Sequence, residues 1–297
     1  MKNVSVIVPI FNAERFLPYL FDCFEKSAFT EGDEILLVDN GSKDRSYEMC
    51  MEQAEKFPSL YQVLSFTEKA DSYAARNHAV SKAKGDIFAF TDSDCKPLPA
   101  WLDQVRTVEE GTVMAGKVEL ELVENNLWEH LDRLVHLGQT ETAIANNCVP
   151  TANMAVNRSD FFKVGRFEER FSGGDFEWSQ RAHRTGLTIR YNPAAFIFHP
   201  SRKTFEEIST REKRTAYGKG KSYRNNGKSK AKLTLIYFLK IFKIDTNLRL
   251  SKGLAQNGVG FKDLLYFNVK YFQIRVMQLK AAIAGYNGDN ARKLNIK

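Results

Sequence analysis

Several large protein classes are excluded by what this chain lacks. Its 297 residues include only four cysteines (Cys23, Cys50, Cys95 and Cys148). They show no CxxC spacing, which argues against a disulfide frame or a cysteine zinc site and for thiols kept reduced. No uninterrupted apolar run approaches the roughly 18 residues of a transmembrane helix. The opening "MKNVSVIVPIF" has too short an apolar stretch for a signal peptide and no small-residue cleavage site, so a cytoplasmic location is expected. No GxGxxG follows the first apolar run, which disfavours an NAD-binding enzyme. The glycine-rich, cationic phosphate loop expected of a nucleotidyltransferase is also missing from "VPIFNAERF". There is no internal repeat and no RNA- or DNA-binding motif, so no nucleic-acid partner is expected.

What is present is a hydrophobic fraction of 43% with 12% aromatics, enough for a sizeable core. Charge is unevenly divided. Residues 200–297 hold 22 Lys and Arg against 6 Asp and Glu, a balance of +16, whereas residues 1–199 balance to −9. Such asymmetry points to two jobs, with an anionic surface or ligand expected near the C-terminal third, although a solvated basic face is a sufficient alternative.

The first hundred residues alternate between two periodicities. "VSVIVPIF", "DEILLVD", "YQVLSF" and "DIFAFTD" read as buried strands. Between them "AERFLPYLFDCFEKSA", with Pro18 early, "SYEMCMEQAEKFP" and "SYAARNHAVSKAKG", closed by Gly85, read as helices. Alternating strands and helices predict an α/β fold with a mostly parallel sheet. In such sheets ligands bind beyond the carboxyl ends of the strands, where Asp39 and Asp92 both fall. Further on, "GTVMAGKVEL" reads as a strand, "LWEHLDRLVHLG" as a helix and "LTIRYNPAAFIFHP" as a strand or strand pair. From about residue 204 the chain reads as basic and helical, with "GKGKSYRNNGKSK" as a flexible charged loop. Two regions are expected, 1–203 and 204–297.

Four constellations carry chemistry. Asp39, in "LLVDNGSKD", ends a strand in a Gly-Ser turn; it can accept from a base imide or a ribose hydroxyl, or simply cap the turn. Arg76, alone among small and apolar residues in "SYAARNHAV", could grip a diphosphate bidentately or cover apolar surface. Asp92 and Asp94, in "FTDSDC", suit a hard divalent cation, which takes one or two carboxylates plus substrate phosphates. Asp175 follows Gly173 and Gly174 at a helix start, where it is either an N-cap or a general base. Glu177 and Arg181 are spaced for a helical ion pair.

"VSVIVPIFN", "ILLVDNGSKD", "AARNHAV", "GDIFAFTDSD", "NMAVNRSDFFKVGRFEERF" and "GGDFEWSQR" resemble, in order and spacing, the inverting glycosyltransferases of family 2. The resemblance covers residues 3–200 and implies the GT-A fold, a Rossmann-like α/β architecture. It places Pro9 and Asn12 in the nucleotide-side first motif, Asp39 at the base and Arg76 near base and diphosphate. Asp94 becomes the direct metal ligand, for Mn2+ or Mg2+, and Asp92 the sugar or ribose contact. Asp175 becomes the catalytic base of a pattern usually written Glu-Asp. Gly174 replaces that Glu, removing one acceptor contact. Trp178 and Arg181 are expected on the acceptor side, and His199 as a further metal or phosphate ligand. The implied donor is a nucleoside-diphosphate sugar, a UDP-sugar in the first instance. The implied acceptor is a glycan or lipid-linked hydroxyl in cell-envelope polysaccharide or glycolipid synthesis. A catalytically dead binding scaffold is the alternative.

In "KSKAKLTLIYFLKIFKI" lysines bracket an apolar run containing Leu233, Ile236, Phe238, Leu239, Ile241 and Phe242. A basic amphipathic helix of this kind is expected to lie on an anionic membrane surface, the inner face of the plasma membrane, or to pack on the catalytic domain or on a second copy of the chain.

Overall fold

The computed structural model describes residues 2–68, 71–135 and 146–291. These form two compact units. The first holds the described residues up to Glu121, those of 138–170, and Gly174–Pro200. The second holds the described residues of 122–137, Phe171–Gly173 and those from Ser201 onward. The chain therefore enters the second unit twice before residue 201.

The first unit is built on one mixed sheet. β1 (Val4–Ile10), β2 (Glu34–Asp39), β3 (Tyr61–Ser65) and β4 (Ile87–Thr91) are its parallel strands. β5 (Lys96–Pro97), β6 (Thr112–Glu121), β7 (Asn153–Asn157) and β8 (Thr188–Pro200) complete the order β3-β2-β1-β4-β7-β6-β8-β5. β7 runs antiparallel to β4 and β6, and β8 parallel to β6. β1, β2 and β4 are apolar on both faces because helices cover both, and two apolar clusters result, one containing Val6, Leu37 and Trp101, the other Ile7, Phe88 and Trp178.

Pro9 fits within β1 because the ladder to β4 stops at Ile7, so its missing N–H interrupts no second pairing. α1 (Leu17–Glu25) carries Pro18 in its first turn, where no intrahelical donor is lost. α2 (Ser46–Lys56) follows β2. α3 (Ser72–Val80) is shorter than its sequence pattern and ends five residues before Gly85. Gly85 instead serves a close approach: a Cβ there would lie 2.6 Å from the Ser5 backbone nitrogen, and its own N–H donates to Ser5 Oγ at 2.8 Å. α4 (Trp101–Val105), α6 (Arg158–Val164) and α7 (Gly174–Arg184) complete this unit's helices among the described residues, and α5 (Leu127–Val135) opens the second. The final residues of the helical pattern at "LWEHLDRLVHLG" lie outside the described residues. "LTIRYNPAAFIFHP" forms one strand whose register to β6 shifts between Gly116 and Lys117, leaving residues 193–195 as a bulge.

The second unit continues with α8 (Phe205–Asn225), α9 (Lys230–Ile241), α10 (Ile244–Gln256) and α11 (Phe261–Asn287). Most of the segment expected to be a flexible loop is helix. Gly220 there serves packing, as does Gly285 on α11: a Cβ at Gly220 would lie 2.1 Å from the Ala282 carbonyl oxygen, and one at Gly285 2.1 Å from that of Tyr217. Only Cβ-free residues let α8 and α11 approach so closely. The turn is confined to the residues around Gly227, which has a left-handed φ of 63°. Arg275, buried on α11, donates to the carbonyls of Lys240 and Lys243 and so caps the end of α9.

Candidate active site

The carboxyl ends of β1 and β2 are stitched together by short polar side chains. Asn12 adopts φ 49°, a left-handed conformation that Asn tolerates; its Oδ1 accepts from Lys43 N–H at 2.8 Å and its N–H donates to Ser42 Oγ at 3.0 Å. Asp39 is buried and accepts the N–H groups of Gly41 at 3.1 Å and Ser42 at 3.3 Å. Those two donors hold the carboxylate at the sheet edge while leaving lone pairs for a ligand.

Beyond β4 the structure gathers four groups. One ligand atom from each of Asp92, Asp94, Cys95 and His199 lies within 4.8 Å of the others. His199 Nδ1 lies 2.9 Å from the Pro200 carbonyl oxygen, which can only accept, so Nδ1 is a donor and Nε2 is the nitrogen turned to the cluster. That nitrogen is 3.5 Å from Asp94 Oδ1. Two carboxylates and an imidazole oriented by a backbone carbonyl are a fitting donor set for a divalent cation. Cys95 was not foreseen in this group. Burial, reinforced by the charges of Asp92 and Asp94, pushes its thiol well above its usual range, so it sits beside the carboxylates as a neutral neighbour.

Arg76 is 3% exposed. One Nη is paired with Asp92, the other donates to the Ser72 carbonyl at 3.3 Å, and Nε is buried without a partner. The bidentate diphosphate grip expected of it is therefore replaced by a grip on Asp92. A guanidinium this deeply buried requires such a partner.

Asp175 stands in the first turn of α7. Its Oδ1 accepts from the Tyr73 hydroxyl at 2.9 Å and from the Phe176 N–H at 2.9 Å. Burial first, then the charge of Asp175, pushes the Tyr73 phenol far above its ordinary value, so Tyr73 remains a donor. No local sequence signal marks Tyr73, whose partner lies 102 residues away. Gly174 is buried beneath the same ring.

Two expected acceptor-side residues are structural. Trp178 is fully buried, stacks on Phe161 with ring centroids 5.3 Å apart, and donates its indole N–H to the Gly165 carbonyl at 2.7 Å. It shares the buried stripe of the helix with Gly174 and Ala182, four residues to either side. Arg181 pairs with Glu177 at 3.0 Å and donates to the carbonyls of Val164 at 2.5 Å and Arg166 at 2.8 Å. Its guanidinium ties α7 to the end of α6.

A mixed sheet of this strand order, with carboxylates at the carboxyl ends of its parallel strands, is a GT-A fold. The chain belongs to glycosyl transferase family 2, whose profile matches residues 5–182, and it is a glycosyltransferase. It is 30% identical over 221 residues to glycosyltransferase AglE of Haloferax volcanii, covering 72% of each chain. It is also 30% identical over 146 residues to the undecaprenyl-phosphate 4-deoxy-4-formamido-L-arabinose transferase of Pseudomonas aeruginosa. That match spans 48% of this chain and 43% of that protein. In fold it matches the mannosyltransferase PcManGT of Pyrobaculum calidifontis in complex with GDP-Man and Mn2+. The TM-score is 0.65 at 15% identity, over 97% of this chain and 88% of that one. Staphylococcus aureus TarS in complex with UDP-GlcNAc matches with a TM-score of 0.53 at 14% identity, over 96% and 91%.

Proposed function

We propose that this glycosyltransferase moves a sugar from a nucleoside-diphosphate sugar, a UDP-sugar in the first instance, to a hydroxyl of a glycan or lipid-linked acceptor, with inversion. The observation that carries this reading is the double attachment of α3. Arg76 on that helix holds Asp92 of the acidic cluster, and Tyr73, one turn earlier, holds Asp175. One rigid helix thus links the leaving-group side to the base. The solved relatives in complex with GDP-Man and UDP-GlcNAc support a nucleoside-diphosphate donor. The relative named for undecaprenyl phosphate supports a lipid-linked acceptor.

In the single displacement, the acceptor oxygen bonds to the anomeric carbon as the bond from that carbon to the diphosphate oxygen breaks. Asp175 takes the acceptor proton. Asp39, fixed by two backbone donors, receives the base or ribose, with Pro9 and Asn12 shaping the adjoining turn. Asp92, aligned by Arg76, receives a ribose or sugar hydroxyl. Asp94 and His199 would hold Mn2+ or Mg2+, which when bound neutralises the growing charge of the leaving diphosphate.

The second unit supports a peripheral position on an anionic membrane. Among the described residues no helix is long and apolar enough to cross a bilayer. Yet Leu235, Leu239 and Phe242 are exposed along one side of α9, and Phe261, Leu265 and Val269 along one side of α11. Exposed apolar stripes inside a strongly basic segment match the interface of a bilayer rich in anionic headgroups.

Asp175→Asn tests the catalytic reading. Transfer should fall roughly 10²–10⁴-fold with donor affinity, measured by calorimetry, unchanged. Retained transfer, as expected if the attacking group were a lipid phosphate that needs no base, overturns it.

A further inference from the structure

We propose that Tyr73 is the positioning residue of the base, its hydroxyl holding one oxygen of Asp175 so that the other meets the acceptor, and that Gly174 is required because the Tyr73 ring occupies the space of any side chain at that position. The inference rests on the reading of Asp175 as the base.

A carboxylate that can rotate offers either oxygen, in many directions, to an incoming hydroxyl. Here Oδ1 is held by two donors from different elements, the Tyr73 hydroxyl on α3 and the Phe176 N–H on α7, each at 2.9 Å. Among the described residues Oδ2 has no hydrogen-bond partner, and Asp175 is half-buried, so Oδ2 is the oxygen left to take a proton. Fixing the geometry of a base in advance is worth as much to the rate as its basicity.

Tyr73 is itself held firmly. Its N–H donates to the Asp71 cap at 2.9 Å, its ring packs on Phe167 with centroids 5.9 Å apart, and the Arg76 guanidinium lies 5.8 Å from the ring centre. Because the phenol keeps its proton, it donates at every working pH. The ring also explains the residue before the base. A Cβ at Gly174 would lie 2.9 Å from three ring carbons, a distance real Cβ contacts do not reach. A side chain at 174 and the Tyr73 ring therefore compete for the same volume, and this chain has resolved the competition in favour of the ring.

A buried tyrosine needs some hydrogen-bond partner, so the bond could serve stability alone. Kinetics separate the two roles. Tyr73→Phe keeps the ring and removes the hydroxyl. It should lower kcat roughly 10- to 100-fold, the worth of a hydrogen bond to a charged group, with KM for donor and acceptor unchanged. Gly174→Ala, by pushing the ring aside, should give a kcat loss of the same order. The double variant should lose no more than Tyr73→Phe alone, because both changes break one contact. A wild-type kcat in Tyr73→Phe, or losses that multiply in the double variant, overturns the proposal. If Gly174→Ala does not fold, Tyr73→Phe decides by itself. Asp175→Asn measured alongside keeps the premises apart. An active Asp175→Asn removes the base, whereas an inactive one beside a fully active Tyr73→Phe removes only the role of Tyr73.

Discussion

In the first unit, charged side chains are drawn into the fold and paired there. Arg76 is buried against Asp92, and Arg106 against a fully buried Asp33. In the second unit, apolar side chains are left outside. α9, α10 and α11 each bury one stripe, with Leu233, Leu250 and Phe267 inside, yet expose another, with Leu239, Leu248 and Phe261 in solvent. Burying charge is costly without a partner, and exposing large apolar groups is costly in water. On the proposed function, Arg76–Asp92 stands where the first unit would meet a charged small substrate and the exposed stripes where the second would meet an apolar, anionic surface. Arg106–Asp33, at the start of β2, serves the fold alone.

The largest effect expected from breaking that contrast is in the acidic cluster. Excess chelator should abolish transfer and added Mn2+ restore it; full activity in chelator refutes a cation at Asp94 and His199. Next is the core beneath the base. Trp178→Ala should destabilise the protein by about 3–5 kcal/mol in denaturant titrations, because it empties a fully buried site. A change confined to acceptor KM, with stability intact, would return Trp178 to the acceptor side.

Smaller effects belong to the second unit. Leu239→Glu and Phe261→Glu, at positions 59% and 75% exposed, should leave folding nearly unchanged. Each should weaken binding to phosphatidylglycerol vesicles by about 1.5–3 kcal/mol, which flotation would detect. Undiminished flotation would point to a protein partner for these stripes. Smallest is Lys262→Ala, beside Phe261: about 1 kcal/mol on anionic vesicles, nothing on neutral phosphatidylcholine, and less as salt rises.

Much of the first unit is legible in the chain because its signals are local. A strand buried on both faces must be apolar throughout, as "VSVIVPI" and "EILLVD" are. The ends of such strands direct attention to Asp39, Asp92 and Asp94. The misreadings came from residues whose meaning depends on distant neighbours. Gly85 resembles a helix stop but serves the approach to Ser5, and Gly220 of "GKGKSYRNNGKSK" resembles part of a loop but serves the contact between α8 and α11. Trp178, near a catalytic motif, follows the helix period into the core instead.

By itself the sequence determined the strand–helix alternation, the acidic positions at strand ends and the basic bias of the last hundred residues, since composition and periodicity are properties of neighbouring residues. Tertiary structure alone decided which of those groups meet. It set Arg76 on Asp92, brought His199 to Asp94 and closed Tyr73 over Gly174 onto Asp175. Each of these pairs is separated by at least 16 residues along the chain. Contacts at that range are formed by packing, through burial that no local pattern encodes.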